Sequence, residues 1–188
     1  MNSGGPDGEI GASMRYLSQR FTAPNRVCMA VLTDVATEEL GHLEMVSTIV
    51  HQLTANLTVE EIENQGFADY YVDHAVGIWP QSAGGIPFNS CEFQSKGDPI
   101  TDMFESMAAE QKARSTYDNI LRVVRNIPEI ADPIRFLRAR EVVHFQRFGE
   151  ALQSLQDQLN SKNFYQMNPS FDTGLTREPC DCQGECVQ

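Results

Sequence analysis

Apolar residues recur every three or four positions through three long stretches of this chain, the period of helices that each bury one face. A shorter helix precedes them, from near Asp7 through Glu9, Tyr16 and Leu17 towards Phe21, and Pro24 stops it. The second predicted helix starts around Pro24–Arg26 and runs to about Leu53, with a stripe of Leu32, Val35, Glu39, His42, Val46, Ile49 and Leu53. The third opens at Asp98-Pro99, a capping Asp followed by proline at the first helical position. Its stripe is Met103, Ser106, Glu110, Ala113, Tyr117, Ile120 and Val124. The fourth opens the same way at Asp132-Pro133, with Ile134, Leu137, Glu141, His144, Phe148, Ala151 and Leu155 on one face. The pattern predicts an all-α four-helix bundle.

Between the second and third helices, residues 58–97 break the period. They hold a possible short helix at Val59–Gln65 and then GIWPQSAGGIPFNSCEF, rich in Gly, Pro and aromatics. A connection this long predicts that helices 2 and 3 are parallel neighbours, as in bundles with one crossover. After about residue 160 the chain turns polar and ends in CDCQGEC (Cys180, Cys182, Cys186), whose spacing matches neither a zinc ribbon nor a disulfide framework. The expected division is a bundle over residues 1–160 and a tail over 161–188.

Each stripe is interrupted at mid-height by ionisable residues. Together they read Glu9, then Glu39-x-x-His42, then Glu110, then Glu141-x-x-His144, one group per helix. At i and i+3 both members of a pair share a face. Glu9 and His42 are 33 residues apart and Glu110 and His144 are 34 apart, so the two helix pairs repeat one geometry. Four carboxylates and two histidines projecting inward are the donor set of di-iron and di-manganese bundles. Buried together without a partner, four carboxylates repel and must take protons, whereas two divalent cations balance their charge. Glu38 is the local rival to Glu39, since it also shares a face with His42, but the stripe favours Glu39 and turns Glu38 towards the bundle edge. Tyr16 and Tyr117 lie near the site on their stripes, either as packing or as donors to a ligand carboxylate. His51 and His74 fall off the stripes and read as surface or structural residues.

Composition narrows the function further. A formal net charge of −12 disfavours nucleic acid and anionic lipid as partners. No run approaches the length of a membrane span, and MNSGGPDGEIGAS has neither a basic nor an apolar leader segment, which predicts a cytoplasmic protein.

Four segments, GGPDGEIGASMRYLSQRFT, VLTDVATEELGHLEM, KGDPITDMFESMAAEQKARSTYDNI and FLRAREVVHFQRFGEAL, resemble the manganese catalases, with the nearest likeness to the short spore-coat-associated members of endospore-forming bacteria. The resemblance runs from about Gly4 to Ser170. It implies a ferritin-like bundle with two manganese ions (iron being compatible with the same donors) that disproportionates hydrogen peroxide to water and dioxygen. By this resemblance Glu9 and His42 bind one ion, Glu110 and His144 the other, and Glu39 bridges them. Glu141 completes the set beside the metals and handles protons, while Tyr16 hydrogen-bonds Glu9. The resemblance also implies a homo-oligomer, a hexamer of bundles; Val31, Val50 and Val143, read as apolar residues on outer helix faces, are compatible with assembly without requiring it. A place in the spore coat among other coat proteins is the further implication. Two alternatives within the fold are a di-iron peroxidase, oxidase or iron-handling protein, and a structural coat protein with a vestigial site. Two departures stand out. Glu9 lies only eight residues after Met1, in the opening turn of its helix, and Ala109 stands where larger members carry an Arg before the third-helix ligand. Arg138 and Arg140 are the candidates to supply that charge to Glu141.

Overall fold

The computed structural model describes residues 4–5, 8–68 and 89–161. Helix α1 (Glu9–Gln19) begins at Glu9 itself. The turn before it needs glycine twice: Gly5 has φ 98°, and a Cβ on Gly8 would come within 2.7 Å of the Gly4 carbonyl oxygen. Helix α2 (Arg26–Thr54) is capped by Asn25, whose side chain accepts the Cys28 N–H at 2.9 Å. A short α3 (Val59–Asn64) starts on a reciprocal Thr58/Glu61 capping box. Helix α4 (Pro99–Val124) starts on Asp98 with Pro99 in its first turn, as its sequence predicts. Helix α5 (Pro128–Ser161) completes the bundle. The middle of the crossover, including His74 and most of GIWPQSAGGIPF, lies outside the described residues, as does the CDCQGEC tail.

The main helix-to-helix contacts run α1–α2, α2–α5, α5–α4 and α4–α1. Helices α2 and α4 are therefore parallel, as the crossover requires, but they face each other across the diagonal and are not neighbours. This corrects the expected adjacency. Each parallel helix is flanked by antiparallel partners, so the four inward faces meet on the bundle axis.

Two apolar clusters divide that axis. One gathers Tyr16, Cys28, Leu32, Val35, Met103, Phe148, Leu152 and Leu155 from all four long elements. The other gathers Val46, Tyr117, Ile134 and Leu137 from three of them. Each fully buried Leu, Val or Phe contributes about 1.5–3 kcal/mol of transfer free energy. The ionisable residues occupy the level between the clusters, so burial of the flanking apolar residues forces them into the interior.

Two sequence expectations fail here for physical reasons. Helix α5 starts at Pro128, not at Asp132-Pro133. The Ile127 carbonyl accepts N–H bonds from Ile130 and Ala131, and Ala131 is fully buried, so packing carries the helix through Pro133 at the loss of one backbone bond. At the end of α2 the buried positions are Val50 and Thr54, while Leu53 is 58% exposed. A 3.5-residue stripe drifts off a 3.6-residue helix by about 20° per heptad, and over the three heptads from Leu32 the drift of about 60° is enough to move the seam by one residue. Val50 is accordingly an inward residue, lining with Ile49, Tyr117 and Ile134 an apolar cavity of about 370 Å³ beyond the second cluster.

Candidate metal centre

Glu9, Glu39, His42, Glu110, Glu141 and His144 meet at the middle of the bundle, each 2% exposed or less. Glu39 sits at their centre. Its Oε2 lies 2.8 Å from His42 Nδ1 and its Oε1 lies 2.8 Å from His144 Nδ1. The two imidazoles stack with centroids 5.3 Å apart and planes 18° from parallel. Around His42 Nδ1 stand Glu9 Oε2 at 3.8 Å and Glu141 Oε1 at 3.6 Å. Near His144 Nδ1 stands Glu110 Oε2 at 3.4 Å. The donors thus form two groups, one per histidine, that share Glu39. One donor atom each from Glu39, His42, Glu141 and His144 fits within 4.8 Å.

Two tyrosines complete the arrangement in crossed fashion. Tyr16 on α1 donates to Glu110 on α4, and Tyr117 on α4 donates to Glu9 on α1. The expected bond from Tyr16 to Glu9 is therefore replaced by one to Glu110. The reason is helical geometry: residue 16 is two turns from residue 9 along α1, while antiparallel α4 brings Glu110 level with Tyr16 and Tyr117 level with Glu9. The signal for this pair was in the sequence, because each tyrosine follows its own glutamate by seven residues.

Electrostatics identifies the strain in this cluster. Burial, reinforced by neighbouring carboxylates, pushes Glu9 and Glu39 above the usual carboxylate range. Burial together with Glu110, Glu9 and Glu39 pushes Glu141 far higher, so it holds a proton at neutral pH. Burial depresses His42, whereas in His144 the Glu110 and Glu39 carboxylates outweigh burial and raise it to about 10. Arg138, a candidate for controlling Glu141, instead pairs with Asp118 at 2.9 Å. Arg140 feels the charge of Glu141 but spends its hydrogen bonds on Glu38. Sequence reasoning missed Arg15, a buried cation on α1 whose charge partly offsets the rise that burial and Glu110 impose on Tyr16.

Metal ions fit these residues. Both oxygens of Glu39, one oxygen each of Glu110 and Glu141, and both ring nitrogens of His42 and His144 are buried without a hydrogen-bond partner. Folded proteins leave few such atoms, and six of these eight, the four carboxylate oxygens and the two Nδ1 atoms, face one another at one level. Carboxylate oxygens with two imidazoles are donors suited to divalent manganese or iron.

Comparison with known proteins agrees with this chemistry. A family profile described as "Manganese containing catalase" matches residues 2–169. Protein CotJC of Bacillus subtilis (strain 168) is 44% identical over 162 residues, covering 86% of this chain and 85% of that protein. A probable manganese catalase of Clostridium acetobutylicum is 30% identical over 161 residues, covering 86% of this chain and 71% of that one. Among solved structures, KatB, a manganese catalase from Anabaena, superposes with a TM-score of 0.73 at 30% identity, covering 82% of this chain and 69% of that one.

Proposed function

Because the chain belongs to the manganese catalase family, we propose that it converts two hydrogen peroxide molecules to two waters and dioxygen at a pair of manganese ions. Glu9 and His42 would hold one ion, Glu110 and His144 the other, and Glu39, which lies against both histidines, would serve both. The observation that carries this reading is the set of six unpartnered donor atoms, four carboxylate oxygens and the two Nδ1 atoms, buried at one level between two apolar clusters. When bound, the ions supply the two-electron couple that one peroxide reduces and the next oxidises.

The remaining chemistry falls to the chain. Peroxide loses protons on binding and regains them as its O–O bond breaks, so a proton carrier must stand within reach. Glu141 suits that role: its Oε1 has no hydrogen-bond partner and lies 3.6 Å from His42 Nδ1, at the edge of the donor cluster. Tyr16 and Tyr117 each donate to one oxygen of Glu110 or Glu9 and leave the other oxygen to face the site. The apolar clusters above and below exclude bulk water, which strengthens these interactions.

Two wider readings accompany this one. The likeness to CotJC favours a place in the spore coat among other coat proteins. Phe21, Phe104, Val123 and Phe136, each more than half exposed, favour burial in an oligomer such as a hexamer of bundles, which light scattering would measure.

The test is elemental analysis of protein purified without added metal, followed by an oxygen-electrode trace on adding peroxide. About two manganese ions per chain and prompt oxygen release are expected. Two irons with peroxide consumed and no oxygen released would replace this reading with a di-iron peroxidase or oxidase. A folded protein that takes up no metal on reconstitution would leave a structural coat protein.

A further inference from the structure

Glu38 and Glu39 are consecutive on α2, yet they face opposite edges of the same two imidazoles. Glu39 addresses the Nδ1 edges. Glu38 addresses the Nε2 edges, with Oε2 3.2 Å from His144 Nε2 and Oε1 3.6 Å from His42 Nε2. Neither nitrogen has a hydrogen-bond partner. The approaches fall outside hydrogen-bond alignment, which rotation about the broad terminal torsion of histidine can supply. The Glu38 carboxylate is itself gripped from outside the site: Arg140 on α5 sends Nε to Oε1 and Nη2 to Oε2, the latter at 3.0 Å. Both side chains sit at the bundle edge, about 30% exposed.

A histidine that binds a metal through Nδ1 carries its proton on Nε2, and that N–H needs an acceptor to fix the tautomer and the ring plane. Here two such N–H groups converge on one carboxylate. We propose that Glu38 is a positioning residue that accepts from Nε2 of both His42 and His144, and that Arg140 is the clamp that aims it. The proposal rests on the dimetal reading above. It differs from the usual arrangement of one outer acceptor per histidine in its consequence: a single change at position 38 loosens both metal positions together, although Glu38 touches neither.

Its test uses the full chain, with Glu38→Ala, Glu38→Gln and Arg140→Gln. Manganese affinity is measured by chelator competition, and ring-nitrogen ¹⁵N shifts are recorded on zinc-loaded, diamagnetic protein. In wild type both Nδ1 atoms are expected metal-bound and both Nε2–H protons observable and slow to exchange. Glu38→Ala is expected to lose both Nε2–H signals and to weaken both ions on the order of 10- to 100-fold. Glu38→Gln, which retains an acceptor oxygen, recovers part of that loss, and Arg140→Gln shows a smaller loss at both positions. A folded Glu38→Ala protein with unchanged affinity and unchanged Nε2–H signals overturns the proposal, as does a loss confined to one histidine. If Glu38→Ala does not fold, an Arg140→Gln protein with unaltered signals and affinity overturns it equally. Wild-type protein that binds neither ion removes the dimetal premise, and this inference with it. That outcome is distinct from a wild type that binds two ions no more tightly than its variants.

Discussion

Replacing Glu39 by Gln asks why the centre of this bundle is charged at all. Gln keeps the shape of a side chain that is 1% exposed, and it removes one negative charge and one acceptor oxygen. Glu39 Oε1 and Glu110 Oε2 lie 2.8 and 3.4 Å from the same His144 nitrogen, so they are at most about 6 Å apart. Two ionised carboxylates at that separation repel by about 3 kcal/mol at an effective dielectric of about 20. Wild type escapes part of this by taking protons, so the metal-free variant is expected to be more stable at pH 7 by about 1–3 kcal/mol. At about 2–4 °C per kcal/mol for a chain of this length, its midpoint rises by roughly 2–12 °C. Manganese reverses the order. With free metal about 100-fold above each Kd, each ion stabilises wild type by about 2.7 kcal/mol, which for two ions raises the midpoint by roughly 10–20 °C. The variant, deprived of the shared ligand, gains little. Calorimetry on both proteins, metal-free and manganese-loaded, reads all four midpoints. A metal-free variant that melts below metal-free wild type, with a wild-type midpoint indifferent to manganese, would refute the reasoning.

The raised pKa values of Glu9, Glu39 and Glu141 also set a pH dependence. The unfolded chain sheds these protons above about pH 4.3 while the folded metal-free chain keeps them, so metal-free stability should fall as pH rises from there, and bound manganese should flatten the slope; urea midpoints at pH 5 and pH 8 measure both. Glu141→Gln should keep both metals by elemental analysis and slow oxygen release on the order of 10²- to 10⁴-fold, whereas loss of metal would make Glu141 a ligand. Tyr117→Phe removes the donor to Glu9, should cost about 1.5–3 kcal/mol in denaturant unfolding of the loaded protein, and should weaken the ion on the His42 side in chelator competition.

Much of the site was readable from one dimension because helices convert spacing into direction. Glu39 and His42 share a face at any tilt of α2, and the same holds for Glu141 and His144, so the six inward residues required no knowledge of the neighbours. What needed the third dimension was everything that depends on how helices pair. The partner of Tyr16 is set by the antiparallel level of α4, not by distance along α1. The diagonal placement of α2 and α4 follows from which faces pack, and a long crossover alone does not specify it. Local rules favour Pro133, which follows a capping Asp132, over Pro128, which follows Ile127, and burial of Ala131 overrides them. Glu38 read as an edge residue, which its exposure bears out, but its reach to both Nε2 edges depends on the stacking of two rings from different helices. Buried Arg15 had no signal in the pattern, since an arginine beside Tyr16 reads as solvated.

The reciprocal tyrosines make α1 and α4 answerable to each other. Helix α1 is only 11 residues long, and its first residue is Glu9. A lone N-terminal glutamate on so short an element would ordinarily swing with every fluctuation of the helix end. Tyr117 holds that glutamate from α4, while Tyr16 holds Glu110 in return, so the two bonds act as a pair of level rungs two turns apart. A slide of α1 along α4 in either direction stretches both rungs together, and tilt of α1 disturbs both carboxylates at once. The docking of the first helix is thereby written into the spacing of the two groups on which a metal pair would depend.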